Sequence, residues 1–226
     1  MKEMQPFWFS GLADYDQLCQ NFTPVVRDAG KGLLQTDDEH NWDEVDGKLA
    51  KLILCDQISR NAFRGTDEAF EYDDISLGIA RDLASIALSE DPSFYGSYTM
   101  FIVLALMHAE NLEDHKLADQ CIERAILTCP GIAWDEMRGF LLQHTKVIEL
   151  FGLYPHRNVK KGRESTKEEK DWLNSDDVPM WAKSESGLMC NYFVISKTCA
   201  VHYKYVVIHF LNMCTRTVLF MILTID

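Results

Sequence analysis

From residue 13 to residue 151 the apolar side chains recur at helical spacing, and no run before residue 187 alternates as a strand does. Helices patterned this way must bury an apolar stripe against one another, so the pattern predicts an all-α fold. Capping and breaking residues divide the run into six helices. The first spans about 14–28 and stops at Gly30 and Gly32. The second covers about 44–62, after a polar loop at 35–43. The third begins at Thr66, behind the Arg64-Gly65-Thr66 break, and runs to about residue 88, where Asp91-Pro92 marks a turn. The fourth, fifth and sixth cover about 96–109, 113–128 and 133–151, closed by Pro130-Gly131 and then by Gly152 and Pro155. Short connections make successive helices antiparallel neighbours, as in stacked helical hairpins. Farther on, Thr166 and Glu169 form a capping-box pair, with Trp172 and Leu173 placed to pack back onto the bundle.

The chain has 226 residues, and its charge separates two parts. Residues 1–185 hold 19 basic and 34 acidic residues and read as one helical domain. Residues 186–226 hold 3 and 1, and form an atypical apolar tail. Within the tail, 205–225 is long enough to cross a bilayer but carries His209, Asn212 and Arg216. It reads as a membrane segment, as a gene-model artefact, or as further chain packed on the domain. A net charge of −13 repels phosphate backbones, which argues against nucleic acid as a partner. The absence of a strand before residue 187 removes the Gly-rich strand–helix phosphate sites. Seven cysteines occur with no C-x-x-C pair, and residues 1–9 are too short and polar for a signal sequence. Reduced thiols in the cytoplasm are the expectation, with no zinc site and no cofactor.

The chemistry lies in polar groups set on oily stripes. In the second helix Leu49, Leu52, Ile53 and Phe63 share a face, and Asp56 and Arg60 fall within it as an i,i+4 ion pair. Gln57, Asn61 and Arg64 flank them. His108 sits on the stripe of the fourth helix, with Glu110 just beyond, and His144 on the stripe of the sixth. After the sixth helix come His156, Arg157, Asn158 and Arg163. A lone histidine on such a face is ordinarily a satisfied core residue. Ionisable groups converging from several helices are the usual mark of a site. The H-A-E spacing at His108 does not put two metal ligands on one helical face, so no metal is expected. No G-x-S-x-G elbow is present.

These residues also carry a resemblance. Asp56-Gln57-Ile58-Ser59-Arg60-Asn61 followed by Arg64-Gly65-Thr66 resembles the D-Q-x-x-R-N-x-x-R-G-T block of the domain of unknown function 924 family. His108-Ala109-Glu110 resembles its H-S-E, and Asp119-Gln120 its following D-Q. Phe151 to Asn158 resembles F-G-R-x-P-H-R-N, and Gly162 to Glu169 resembles G-R-x-S-T-x-E-E. The match covers about 7–175. It implies an all-α fold of the tetratricopeptide-like class, found mostly in bacterial proteins, with no established activity. Ser59 stands where the family usually has Pro, Leu153 where it has Arg, and Ala109 where it has Ser. The tail has no counterpart.

The leading expectation is a helical binding module for an unknown small molecule or peptide end, in a pocket formed by the twelve candidates from Asp56 to Arg163. Four arginines among them suit a carboxylate or phosphate. One alternative is a hydrolase-like enzyme with His108 or His144 as general base. The other is a structural protein whose buried polar network sets helix register.

Overall fold

In the computed structural model, residues 13–36, 41–89, 98–130 and 132–183 are described. The tail at 186–226, the segment 1–9 and the Asp91-Pro92 turn lie outside them. Among the described residues every regular element is a helix, as the periodicity predicts.

The first predicted helix is two: α1 (Ala13–Gln20) and α2 (Thr23–Gly30). Pro24 explains the division. Its missing N–H and fixed φ suit a helix's first turn and not its middle. The second predicted helix is continuous but irregular, running from α3 (Val45–Ile53) through a π-helical turn (Leu54–Ile58) into α4 (Ser59–Ala62). The third opens with a 3-10 turn (Asp67–Phe70) before α5 (Asp73–Leu88). Then follow α6 (Thr99–Met107), α7 (Leu112–Thr128) and α8 (Trp134–Phe151). A 3-10 turn (Pro155–Arg157), α9 (Lys167–Leu173) and α10 (Met180–Lys183) complete the described chain.

α6 is buried along its whole length and forms the centre. It is apolar all round, which is the pattern of a helix enclosed by others. α5 and α7 pack against it, and α3 and α8 touch it too. The α5–α6, α6–α7 and α7–α8 contacts are those expected of chain neighbours with short connections. α3 lies against α5, and the π-helical turn reaches both α2 and α5. Gly47 permits one close approach: a Cβ there would collide with the backbone of Asn41 and of the buried Trp42. Gly152 closes α8 in the left-handed region, at φ 70°.

A smaller apolar cluster forms beyond the main core from Val147, Ile148, Tyr154, Val178, Trp181 and Ala182. The Thr166–Glu169 capping box forms in full, and Trp172 packs on Phe151 with ring centres 5.4 Å apart. Among the described residues no helix is long and apolar enough to cross a membrane. Burial pushes the thiols of Cys19, Cys55 and Cys121 up to about 12.

Candidate functional site

The π-helical turn makes the site possible. The Ser59 N–H reaches Leu54 O, one residue farther back than in an α-helix. The Ser59 hydroxyl donates to Cys55 O at 2.6 Å, and Asn61 Nδ2 donates to Gln57 O at 3.0 Å. Side chains thus satisfy carbonyls that the irregular winding disturbs. Ser59, the departure from the family's Pro, supplies the first of these bonds. The turn carries Asp56 and Gln57, both buried. Such turns inside α-helices gather at functional sites.

Asp56 Oδ1 lies 2.7 Å from His108 Nδ1, at the C-terminal end of α6. It also accepts from Arg60 Nη2 at 3.2 Å, and Gln57 Nε2 donates to its other oxygen. Burial opposes the Asp56 charge, but His108 and Arg60 outweigh it and hold the carboxyl far below the usual range. Burial also lowers the pKa of His108, against the pull of Asp56. The lowered pKa favours the neutral ring. An ionised Asp56 can only accept, so Nδ1 carries the proton and Nε2 is a lone-pair acceptor.

Arg60 passes the network to Asp73, in the first turn of α5, at 2.6 Å. Arg157 Nη1 reaches the other Asp73 oxygen at 3.3 Å and donates to His108 O at 2.9 Å. Lys161 Nζ lies 3.5 Å from that same carboxylate oxygen. The Arg60 and Arg157 guanidinium groups both lie over the Phe70 ring, and Arg157 also lies over Tyr154 at 4.5 Å. Three cations (Arg60, Arg157 and Lys161) thus share two carboxylates, Asp56 and Asp73. Burial, aided by Arg60 and opposed by Asp73, pulls the Arg157 pKa below its ordinary value.

His108 and Asp73 line a cleft of about 80 Å³ together with Ala109, Glu110 and Lys161. The rest of the lining comes from Asp74, Ser76 and Leu77 of α5 and from Ala105 of α6. Arg163 clamps Glu110 with bonds of 2.6 and 2.8 Å, and the Tyr154 N–H donates to it at 2.9 Å.

The other candidates divide. His144 lies behind the cleft, its ring centre 6.1 Å from that of His108, and its Nδ1 donates to Phe140 O at 2.8 Å. Asn158 ties the loop to α9, donating to Glu169 at 2.9 Å and to Ser165 at 3.0 Å. His156 packs beside Tyr154, its Nδ1 buried and without a partner among the described residues. Arg64 turns away to Asp16 of α1 at 2.6 Å and also holds Asn61, so this pair stands apart from the cleft. The expected pocket of four arginines is therefore not the arrangement found. Each of the four already holds a carboxylate of the chain. Among the described residues no group of three His, Cys, Asp or Glu side chains is placed to hold a metal ion.

Sequence reading did not select Asp73, Lys161 or Trp181. Asp73 looks like an ordinary acid in a helix's first turn, where the dipole favours it. Lys161 sits in a Lys160-Lys161 loop pair, and Trp181 lies past the last predicted helix. Trp181 covers His144, with ring centres 3.9 Å apart and planes 9° from parallel. Its Nε1 is buried without a partner among the described residues, as are Arg157 Nε and Asn158 Oδ1. Each such group costs about 1–3 kcal/mol.

Fold and site together define an all-α protein with a buried Asp–His–Arg network that opens on one small cleft. The chain belongs to the family described as bacterial protein of unknown function (DUF924), whose model matches residues 1–177. It is similar in structure to a protein of unknown function, ATU0120 from Agrobacterium tumefaciens, at 26% identity and a TM-score of 0.57. That similarity covers 74% of this chain and 88% of the other. No curated protein matches the chain.

Proposed function

We propose that the cleft binds a small carboxylate that also carries a hydrogen-bond donor, a free molecule or the end of a peptide. Lys161 takes the negative group, and His108 Nε2 accepts from the donor. The observation that carries this reading is that His108, held by Asp56 at 2.7 Å, lines the cleft beside Lys161. Lys161 meets Asp73 only at 3.5 Å and is partly exposed, so its ammonium can also reach an anion in the cleft. A volume of about 80 Å³ limits the ligand there to a few heavy atoms.

The test is calorimetric titration with glycolate, lactate and glycine. Wild type should bind one of them saturably, Lys161→Ala and His108→Gln at least about tenfold more weakly. Arg64→Ala, remote from the cleft, should bind as wild type does. Equal affinity across all four proteins, or no saturable heat, removes the reading.

The same 2.7 Å contact favours a second reading, a hydrolase-like enzyme. A neutral histidine oriented by a carboxylate is built to take a proton from water attacking a carbonyl. Turnover of small esters that His108→Gln abolishes without unfolding the protein would support it. No turnover across an ester and amide panel would remove it.

A further inference from the structure

Trp181 occupies a slot with a floor and two walls. The floor is the His144 imidazole, stacked on the indole at 3.9 Å. One wall is Tyr154, perpendicular at 5.7 Å, and the other is His156, at 5.5 Å and 75°. One parallel partner and two edge-on partners are the preferred surroundings of a planar ring.

The resident ring fits the shape but not the polarity. A buried tryptophan ordinarily gives its N–H to an acceptor. Trp134 does so, donating to Cys129 O at 2.8 Å. Among the described residues Trp181 Nε1 has no partner, and neither does His156 Nδ1 in the wall beside it. The ring is carried by α10 (Met180–Lys183), too short to be stable as an isolated helix.

We infer that Trp181 is a displaceable plug in a slot suited to a planar nitrogen heteroaromatic ring, one that stacks on His144 and pairs with His156 Nδ1. This site is separate from the cleft and does not rest on the carboxylate reading. Lys161→Ala should leave it unchanged.

The test uses the full chain labelled with 5-fluorotryptophan, which gives five fluorine signals. Trp181→Phe assigns the relevant one. Indole is the probe. The Trp181 signal should move saturably toward its solvent-exposed position while that of Trp134 stays. Trp181→Leu fills much of the space without a ring, and its thermal melting curve checks that it folds. It should bind indole about tenfold more tightly than wild type, because no plug competes. His156→Ala in that background should weaken binding again. A Trp181 signal unmoved by millimolar indole overturns the proposal, whatever the variants do. Equal binding of toluene and indole also overturns it, since the site would then be merely apolar.

Discussion

His108 Nδ1 lies 2.7 Å from Asp56 Oδ1, although the two residues are 52 positions apart. The contact joins the π-helical turn to the end of α6 and fixes the tautomer of a histidine that lines the cleft. Asp56 also holds Arg60, so one carboxylate anchors two buried groups.

Asp56→Asn keeps the shape and removes the charge. Breaking a buried ion pair from one side destabilises by about 3–5 kcal/mol, because the remaining charge loses its compensation. Here Asp73 still holds Arg60, so the lower end of that range is expected. Urea unfolding of the variant measures the loss. A loss under about 1 kcal/mol would mean that Asp73 alone suffices.

Stability should fall on mild acidification. His108, His144 and His156 all have pKa values depressed by burial, reinforced for His144 by His108 and for His156 by Arg157. The unfolded chain therefore binds more protons than the folded one below about pH 6.5. The contribution of these rings is complete above that pH. It declines as pH falls toward the folded values, by up to about 1.4 kcal/mol per pH unit for each ring. Asp56 and Glu110 are depressed carboxylates, and their contributions fade only below about pH 4. Unfolding measured at pH 7.5, 6 and 5 should show the decline, and His156→Gln should flatten it. Constant stability over that range would contradict the buried neutral rings.

Two glycines should respond oppositely to alanine. At Gly47 the added Cβ meets the Asn41 and Trp42 backbone, which cannot yield as a flexible side chain does. Gly47→Ala should cost about 1–3 kcal/mol. Gly78, within α5, has nothing within 4 Å of the same position. Gly78→Ala should stabilise by about 0.5–1 kcal/mol, the helix penalty of glycine. Thermal unfolding of both variants checks the pair, and a shift of the same sign in each would refute the packing at Gly47.

The described helices were legible because their causes are local. Periodicity marked the buried stripes, Gly152 the end of α8, and Thr166 with Glu169 the start of α9. The break between α1 and α2 had a local cause too, in Pro24, which the periodicity masked. Asp56, Arg60 and His108 also stood out, because a charged or titratable group on an apolar face is anomalous wherever the helix packs.

What each group faces was not legible. Arg64 and Arg157 are the same residue type with the same expected role, yet one reaches Asp16 on α1 and the other Asp73 on α5. Asp73, Lys161 and Trp181 carry no local anomaly at all. Their roles arise only when α5, the loop after α8 and α10 are brought beside α6. Helix formation is written in contacts three and four residues apart, whereas ion pairing and ring stacking act between side chains dozens of residues apart. Which partner wins there depends on distance and burial in the assembled bundle, and only the tertiary structure determines these.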